Sequence, residues 1–308
     1  MRIFSSEDVE AALSYPDFIG KLEQAFASDF TMPPRQVLPL APGEGHDAFA
    51  MLPAWNDRVI ALKAFTYFPE NRPPHASLYS KILVFDRQHG APLALVDGTS
   101  VTYWRTAGVS ALASRFLSRD DASTLLILAT GKLVPYLIRA HASVRPLKRV
   151  MIWGRNAEKA RNLASALDSE IEGVEIVGVE AIEPACEVAD IVVAATGSPD
   201  ILLCGDWIRP GTHVDCLGNH HADKRECDTD LVLKSRVFVD TRANCFKEAG
   251  EILVPVTEGV FDLDRVEGEL ADLCRGSAQG RKTAEEVTFF KSVGCALGDL
   301  AGALAVVS

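Results

Sequence analysis

The chain contains no apolar run long enough to cross a bilayer, and no basic segment leads into an apolar one at its start. Neither a membrane span nor a secretory leader is expected, and the protein is expected in the cytoplasm. Positive charge is in deficit, with 31 Lys and Arg against 42 Asp and Glu and a net charge of −11. This balance argues against nucleic acid or an anionic membrane as a partner, since either would need a basic face, and it leaves a small ligand held in a local pocket. Paired cysteines are missing too. The seven cysteines, at 186, 204, 216, 227, 245, 274 and 295, are scattered and never form a C-x-x-C pair. Neither a disulfide framework nor a metal site is indicated, and reduced core thiols are expected. Internal repeats and low-complexity tracts are also lacking. What remains is a 308-residue chain, 48% hydrophobic and 24% charged, long enough for two domains with sizeable cores.

Before about residue 118 the apolar pattern has period two. "RVIALKAFTYF" (58–68) and "LYSKILVFD" (78–86) have the β-branched and aromatic content of antiparallel strands, and "RQHG" followed by "APLALVDG" reads as a hairpin. After "SRDDAS" the pattern becomes βαβ. Short continuous apolar runs occur at 124–129, 149–153, 174–179, 190–195, 212–217 and 236–239, as buried parallel strands require. The expected fold class is therefore α/β with a doubly wound parallel sheet. The stretch "SVGCALGDLAGALAVV" (292–307) is apolar or small on nearly every side, which predicts a buried helix packing back on the first domain.

"LLILATGKLVPYLIRA" (125–140) reads as the first strand, turn and helix of the βαβ part, with Pro135 in the first helical turn, where proline is tolerated. A dinucleotide-binding turn normally carries G-x-G-x-x-G/A, and here Ala129, Gly131 and Val134 fill those places. After the next strand, "VMIWGRNAEKA" (150–160) offers Gly154, Arg155 and Asn156 where an acid would bind a ribose 2′-hydroxyl. An arginine there suits the 2′-phosphate of NADP(H), with NAD(H) the weaker candidate. The competing reading makes Arg155 a solvated residue at a helix start, with Asn156 as N-cap.

"PPR" (33–35), "MLPAW" (51–55), "LK" (62–63), "LALVDGTSVTYWRTAGVSALAS" (93–114), "AATGSPDIL" (194–202), "PGTHVDCLG" (210–218) and "EEVTFFKSVGCALGDLA" (285–301) occur in this order. Through these motifs the chain resembles the ornithine cyclodeaminase and μ-crystallin family almost end to end. The resemblance implies a Rossmann-type domain (118–282) inserted in a smaller α+β substrate-binding and dimerisation domain (1–117 with 283–308), a homodimer, and a nicotinamide cofactor. The family's phosphate loop, usually G-T-G-x-Q-A, is here Ala-Thr-Gly-Lys-Leu-Val (129–134). The methyl of Ala129 narrows the room beside a pyrophosphate, Leu133 removes a polar side chain, and Val134 crowds the helix against the sheet. Thr130, Gly131 and Lys132 still offer backbone N–H groups, and Lys132 adds a positive charge. The resemblance places Thr196, Gly197 and Ser198 along the cofactor, and Ser292 and Val293 near the nicotinamide ring.

For the substrate, Arg35, Lys63 and Arg105 match cationic positions that the family uses to hold an amino-acid or imino-acid carboxylate. Lys63 lies in an apolar strand and Arg105 in an apolar helix, so each would be costly to bury without an anion. The alternatives are pairing with an internal acid such as Asp97, or a strand that turns Lys63 to solvent. Two acidic positions of cyclodeaminase relatives are filled here by Ala50 and His220, which weighs against cyclodeaminase chemistry. Reduction of a cyclic ketimine needs less: an anchored carboxylate, and a hydride donor held about 3 to 3.5 Å away. The expected activity is therefore NADPH-dependent reduction of small cyclic imino acids of the Δ1-pyrroline-2-carboxylate or Δ1-piperideine-2-carboxylate type, with amino-acid dehydrogenase as a near variant. Lys63 and His220 stand as the catalytic candidates, His220 as a proton relay or else a hydrogen-bonded loop residue, and His75 reads as structural. Ornithine cyclodeaminase and a non-enzymatic, crystallin-like ligand-binding protein are the competing functions.

Overall fold

The computed structural model describes residues 1–40, 47–198 and 200–307. Pro199 of the 194–202 motif, like residues 41–46 and Ser308 of the first domain, lies outside the described residues. No helix of the described residues is long and apolar enough to cross a membrane.

The first unit carries strands β1 (Arg2–Phe4), β2 (Gln36–Pro39), β3 (Ala48–Trp55), β4 (Val59–Tyr67), β5 (Leu78–Asp86) and β6 (Pro92–Asp97), with helices α1 (Ser6–Ala12), α2 (Tyr15–Ala27) and α3 (Gly98–Leu117). The sheet order is β1-β6-β5-β4-β3-β2, antiparallel except where β1 runs parallel to β6. Strand alternation separates the two faces. Ala50, Leu52 and Ala54 of β3, Val59 and Ala61 of β4, and Ile82 and Val84 of β5 form a buried layer. The C-terminal helix, Ala296–Val307, packs on that sheet and against α2. It is buried on nearly every side, which is why its sequence shows no polar stripe. The opposite face is also apolar but only half-buried. There Leu95, Leu83, Leu62 and Pro53 stand in register across four strands, beside Trp55, Ile60 and Phe85, and the row continues to the exposed Ile3 of β1.

The second unit holds β7 (Thr124–Leu128), β8 (Arg149–Trp153), β9 (Glu175–Val179), β10 (Ile191–Ala194), β11 (His213–Cys216), β12 (Arg236–Val239), β13 (Val266–Glu269) and β14 (Thr288–Lys291). All are parallel, in the order β13-β12-β14-β11-β10-β7-β8-β9. Its helices include α4 (Val134–Ala142), α5 (Ala157–Leu167), α6 (Ile182–Cys186), α7 (Thr229–Lys234), α8 (Arg242–Glu248), α9 (Gly250–Thr257) and α10 (Leu270–Arg275). Every apolar run singled out in the sequence is a strand of this α/β sheet; β13 and β14 are additional. The chain leaves β7 through β8 and β9 on one side, then restarts with β10 on the other. The order therefore reverses between β7 and β10, and a doubly wound sheet places its ligand crevice beyond the strand ends at such a reversal.

The units divide as Met1–Gly108 with Cys295–Ser308, and Val109–Gly294. The sequence reading places the joins after 117 and 282. In the structure α3 ends at Leu117, the first of these positions, and β14, which follows the second, pairs with both β11 and β12 inside the parallel sheet.

Candidate functional site

A cleft of about 210 Å³ lies beyond the ends of β7, β8 and β10, lined by Ala129, Thr130, Gly131, Gly154, Arg155 and the 196–198 loop. Helix α4 begins at Val134 with a proline in its first turn, and the preceding Leu133 provides no side-chain cap. The N–H groups of Thr130, Gly131 and Lys132 make no hydrogen bond among the described residues and face an anion freely, whereas at the start of α4 the Val134 N–H donates to the Gly131 carbonyl at 3.2 Å and Pro135 has no N–H. The β7 and β8 turns touch closely: a Cβ placed on Gly154 would lie 2.4 Å from Thr130 Cγ2. Arg155 is exposed and carries no ion pair among the described residues, while Asn156 caps α5 by accepting the Lys159 N–H at 2.9 Å. Both features foreseen for this turn, an arginine at the cleft and an N-cap beside it, are present together. Lys132 is exposed in the same turn but is not part of the cleft lining.

The 196–198 loop is held from behind by a closed polar ring. Thr196 donates its N–H and its O–H to Glu226 Oε1, each at 2.7 Å, and Gly218 N–H donates to Oε2 at 2.7 Å. A Cβ on Gly218 would fall 1.9 Å from the Thr196 carbonyl oxygen, so only glycine allows these loops to meet. Glu226 N–H donates to Glu251 Oε1 at 3.1 Å, and Lys291 Nζ lies 2.8 Å from Glu251 Oε2 while donating to the Asn219 carbonyl at 2.7 Å. Asn219 Nδ2 donates to the Ser198 carbonyl at 2.9 Å, and Ser198 N–H returns to Thr196 Oγ1 at 3.2 Å. Glu226, Glu251 and Lys291 are fully buried. Burial pushes the Glu226 carboxyl up, with Lys291 opposing it. Burial works against the Lys291 ammonium, yet Glu251, Cys216 and Glu226 outweigh it and hold that ammonium above the ordinary lysine value. Cys216, Glu226 and Glu251 each place a ligand-type atom within 4.8 Å of the others, and the cation serving this cluster is Lys291 itself.

Ser292 and Val293 do not line the cleft. The Ser292 O–H (3.0 Å), Val293 N–H (3.1 Å) and Gly294 N–H (2.7 Å) all donate to Asp240 Oδ2, which fixes their segment. His220 is exposed, with its ring stacked on that of His221 at 5.0 Å.

In the first unit a second cluster gathers around Lys63, which β4 turns inward and leaves only 4% exposed. Its Nζ donates to Thr102 Oγ1 at 2.7 Å and to Asp299 Oδ1 at 3.0 Å. The same Asp299 oxygen accepts Arg105 Nε at 3.1 Å. The internal acid is thus Asp299 and not Asp97, which pairs with Lys81 at 2.8 Å. Burial pushes Lys63 down to about 8; Asp299 opposes, while the charges of Arg105 and half-buried Arg35 add to the depression. Lys63 and Arg105 therefore share one carboxylate oxygen, with the charge of Arg35 close enough to act on Lys63. Ala50 is fully buried on the inward face of β3, to which it contributes only a methyl group.

Sequence reasoning missed Asp299, Thr102, Glu226, Glu251, Lys291 and Asp240 as parts of these clusters. For Asp299 a signal existed, a single acid in an otherwise apolar helix.

The ornithine cyclodeaminase/mu-crystallin family model matches residues 2–308. The Δ1-pyrroline-2-carboxylate reductase of Colwellia psychrerythraea is 49% identical, spanning 100% of this chain and 98% of that protein. The Thermococcus litoralis Δ1-pyrroline-2-carboxylate reductase, solved in complex with NADH and L-proline, superposes with a TM-score of 0.93 at 31% identity and covers 100% of this chain and 96% of that one. The iminosuccinate reductase of Paracoccus denitrificans, solved with NAD+, gives a TM-score of 0.90 at 26% identity, covering 100% and 95%.

Proposed function

The chain belongs to the ornithine cyclodeaminase/mu-crystallin family, and on that premise we propose that it reduces small cyclic imino acids with NADPH, Δ1-pyrroline-2-carboxylate first among them. The observation that carries this reading is the Lys63 and Arg105 pair, two cations on one oxygen of Asp299, with the charge of Arg35 acting on Lys63 beside them. Such a site is completed by one more anion. The relatives named as reductases of this imino acid support the substrate class.

The residues of the second unit suit a nicotinamide cofactor. A Cβ on Gly131 or Gly197 would meet nothing within 4 Å, so both turns leave open room above their backbone. Thr130, Gly131 and Lys132 bind phosphate oxygens through their N–H groups, and Thr196, Gly197 and Ser198 line the remainder. When bound, the cofactor supplies the hydride. In the first unit Arg105 and Arg35 bind the substrate carboxylate, and Lys63, poised by burial near pH 8, holds the proton that the imine nitrogen takes up. His220 is the second candidate for proton transfer. Ser292 and Val293, fixed by Asp240, complete the nicotinamide side. The free thiols fit a cytoplasmic setting.

Purified protein with NADPH should convert Δ1-pyrroline-2-carboxylate to proline and leave ornithine untouched. Release of proline and ammonia from ornithine would overturn the assignment, because the acids absent at 50 and 220 would then be dispensable. Although the solved relatives hold NADH and NAD+, Arg155 supports NADPH here, through a charge-assisted contact of about 1.5 to 3 kcal/mol, or roughly 10- to 150-fold. Arg155→Ala should erase most of that preference in paired NADPH and NADH titrations. A wild type that favours NADH refutes the role.

The half-buried apolar face of the first sheet supports a homodimer, since a row of Leu95, Leu83, Leu62 and Pro53 left in water is unfavourable and a two-fold pair covers it. Light scattering should give a dimer for the wild type and a monomer for Leu62→Glu. A monomeric wild type at micromolar concentration excludes this interface.

A further inference from the structure

Asp299 is the single acid of the C-terminal helix and is 1% exposed. Its Oδ1 serves both Lys63 and Arg105, while Oδ2 is buried with no hydrogen-bond partner among the described residues. A buried carboxylate with a bare oxygen is costly to fold. An Asn there would present the same amide oxygen to both donors, so the negative charge itself needs a reason.

The two bonds supply one. Arg105 is engaged through Nε, and no bond of its Nη1 and Nη2 edge is found among the described residues. That edge is the one that meets a carboxylate with two parallel N–H···O bonds. Lys63 has two N–H directions fixed, one by Thr102, whose own O–H donates to the Gly98 carbonyl at 2.6 Å, and one by Asp299. We propose that Asp299 is a positioning residue for substrate recognition: one oxygen sets the direction of the Arg105 fork and holds the Lys63 ammonium beside it. This rests on the assignment of the cluster to the substrate carboxylate.

Lys63 faces Thr102 and Arg105 from α3, Asp299 from the C-terminal helix, the charge of Arg35 from the segment before β2, and the Phe65 ring at 5.9 Å on its own strand. Of these charges only Asp299 favours the ammonium. Burial, Arg105 and Arg35 all favour the neutral amine, and the balance lies at about 8. Without the Asp299 charge the lysine loses its proton at lower pH, and with it a cation that the substrate anion needs. Since the ammonium is the working form, activity falls as pH rises through its titration.

Two measurements on full-length protein test this. The first is the pH profile of kcat/KM for Δ1-pyrroline-2-carboxylate. The second, made without substrate, is the NMR titration of Lys63 in protein labelled at lysine Cε, with the resonance identified by its loss in Lys63→Met. In Asp299→Asn the high-pH limb and the Lys63 midpoint should both move down by about one unit or more, with a KM increase of tenfold or greater and a smaller change in kcat. Asp299→Glu keeps the charge but displaces the oxygen, so it should retain the midpoint and raise KM; it also serves if the Asn variant does not fold. An unmoved midpoint in Asp299→Asn, or an unchanged KM in Asp299→Glu, overturns the proposal. A wild type inactive on every cyclic imino acid would instead overturn the assigned reaction, and the NMR titration would still decide whether Asp299 governs Lys63.

Discussion

Arg105→Ala is expected to lower kcat/KM for Δ1-pyrroline-2-carboxylate on the order of 10³-fold, about 4 kcal/mol, the range for truncating one partner of a buried charge pair. The guanidinium side chain is 12% exposed and its Nε is occupied by Asp299, so its remaining edge has a fixed direction that no neighbouring lysine can reproduce. NADPH affinity should be unchanged, because the residues of the phosphate cleft belong to the other unit. The helix should also survive, since position 105 lies inside the 20-residue α3, where alanine is the most favourable helical residue. Steady-state kinetics at varied imino acid and cofactor, with circular dichroism, separate these effects. An unchanged kcat/KM would remove Arg105 from the site.

The other large effect should be on stability. Lys291→Met keeps the length of the side chain but leaves Glu226 and Glu251 buried with no cation, and deprives the Asn219 carbonyl of its donor. Breaking a buried pair in this way costs about 3 to 5 kcal/mol. The loss should depend on pH, and its sign follows from the direction of the carboxyl shift. Burial already raises Glu226 above its ordinary value, and without Lys291 opposing it the folded-state pKa must rise further. A carboxyl raised in the folded state destabilises the fold above that pKa and ceases to do so once protonated. The difference in Tm between Lys291→Met and wild type should therefore shrink as pH falls from about 8 to about 5. A difference that stays constant would mean that Lys291 acts through packing alone. Replacing Glu251 by Gln in the same chain should recover part of the loss, because the two sites are in contact.

Much of the second unit could be read from its sequence because a parallel strand covered on both faces is largely apolar along its whole length. The run 124–129 contains β7, and 190–195 contains β10, with ends displaced by one residue. The strand β13 escaped notice because "VEGE" has alternating acids and a glycine, and β14 because its "TFFK" lies in a segment read as the return to the first domain. The cations Arg35, Lys63 and Arg105 could be named through a resemblance, but their counter-charge could not. Asp299 is 236 residues from Lys63 and meets it only because the C-terminal helix lies on the sheet. The same holds for Glu226, 30 residues from the Thr196 it supports. Periodicity indicates which side chains are buried; which buried polar groups find each other is decided by the order of strands.

The contact between Thr130 and Gly154 limits how cofactor preference could be redesigned. The usual route toward NADH is to introduce an acid after the second strand of the dinucleotide unit. At 154 any side chain would begin 2.4 Å from the Thr130 methyl, so a variant there must first move the Thr130 side chain within the phosphate turn. Libraries that vary 154 while holding 130 as threonine should return fewer cofactor-binding clones than libraries in which 130 varies as well. The exchangeable position is 155, which is exposed, and a change at 154 becomes tolerable only when 130 shrinks with it.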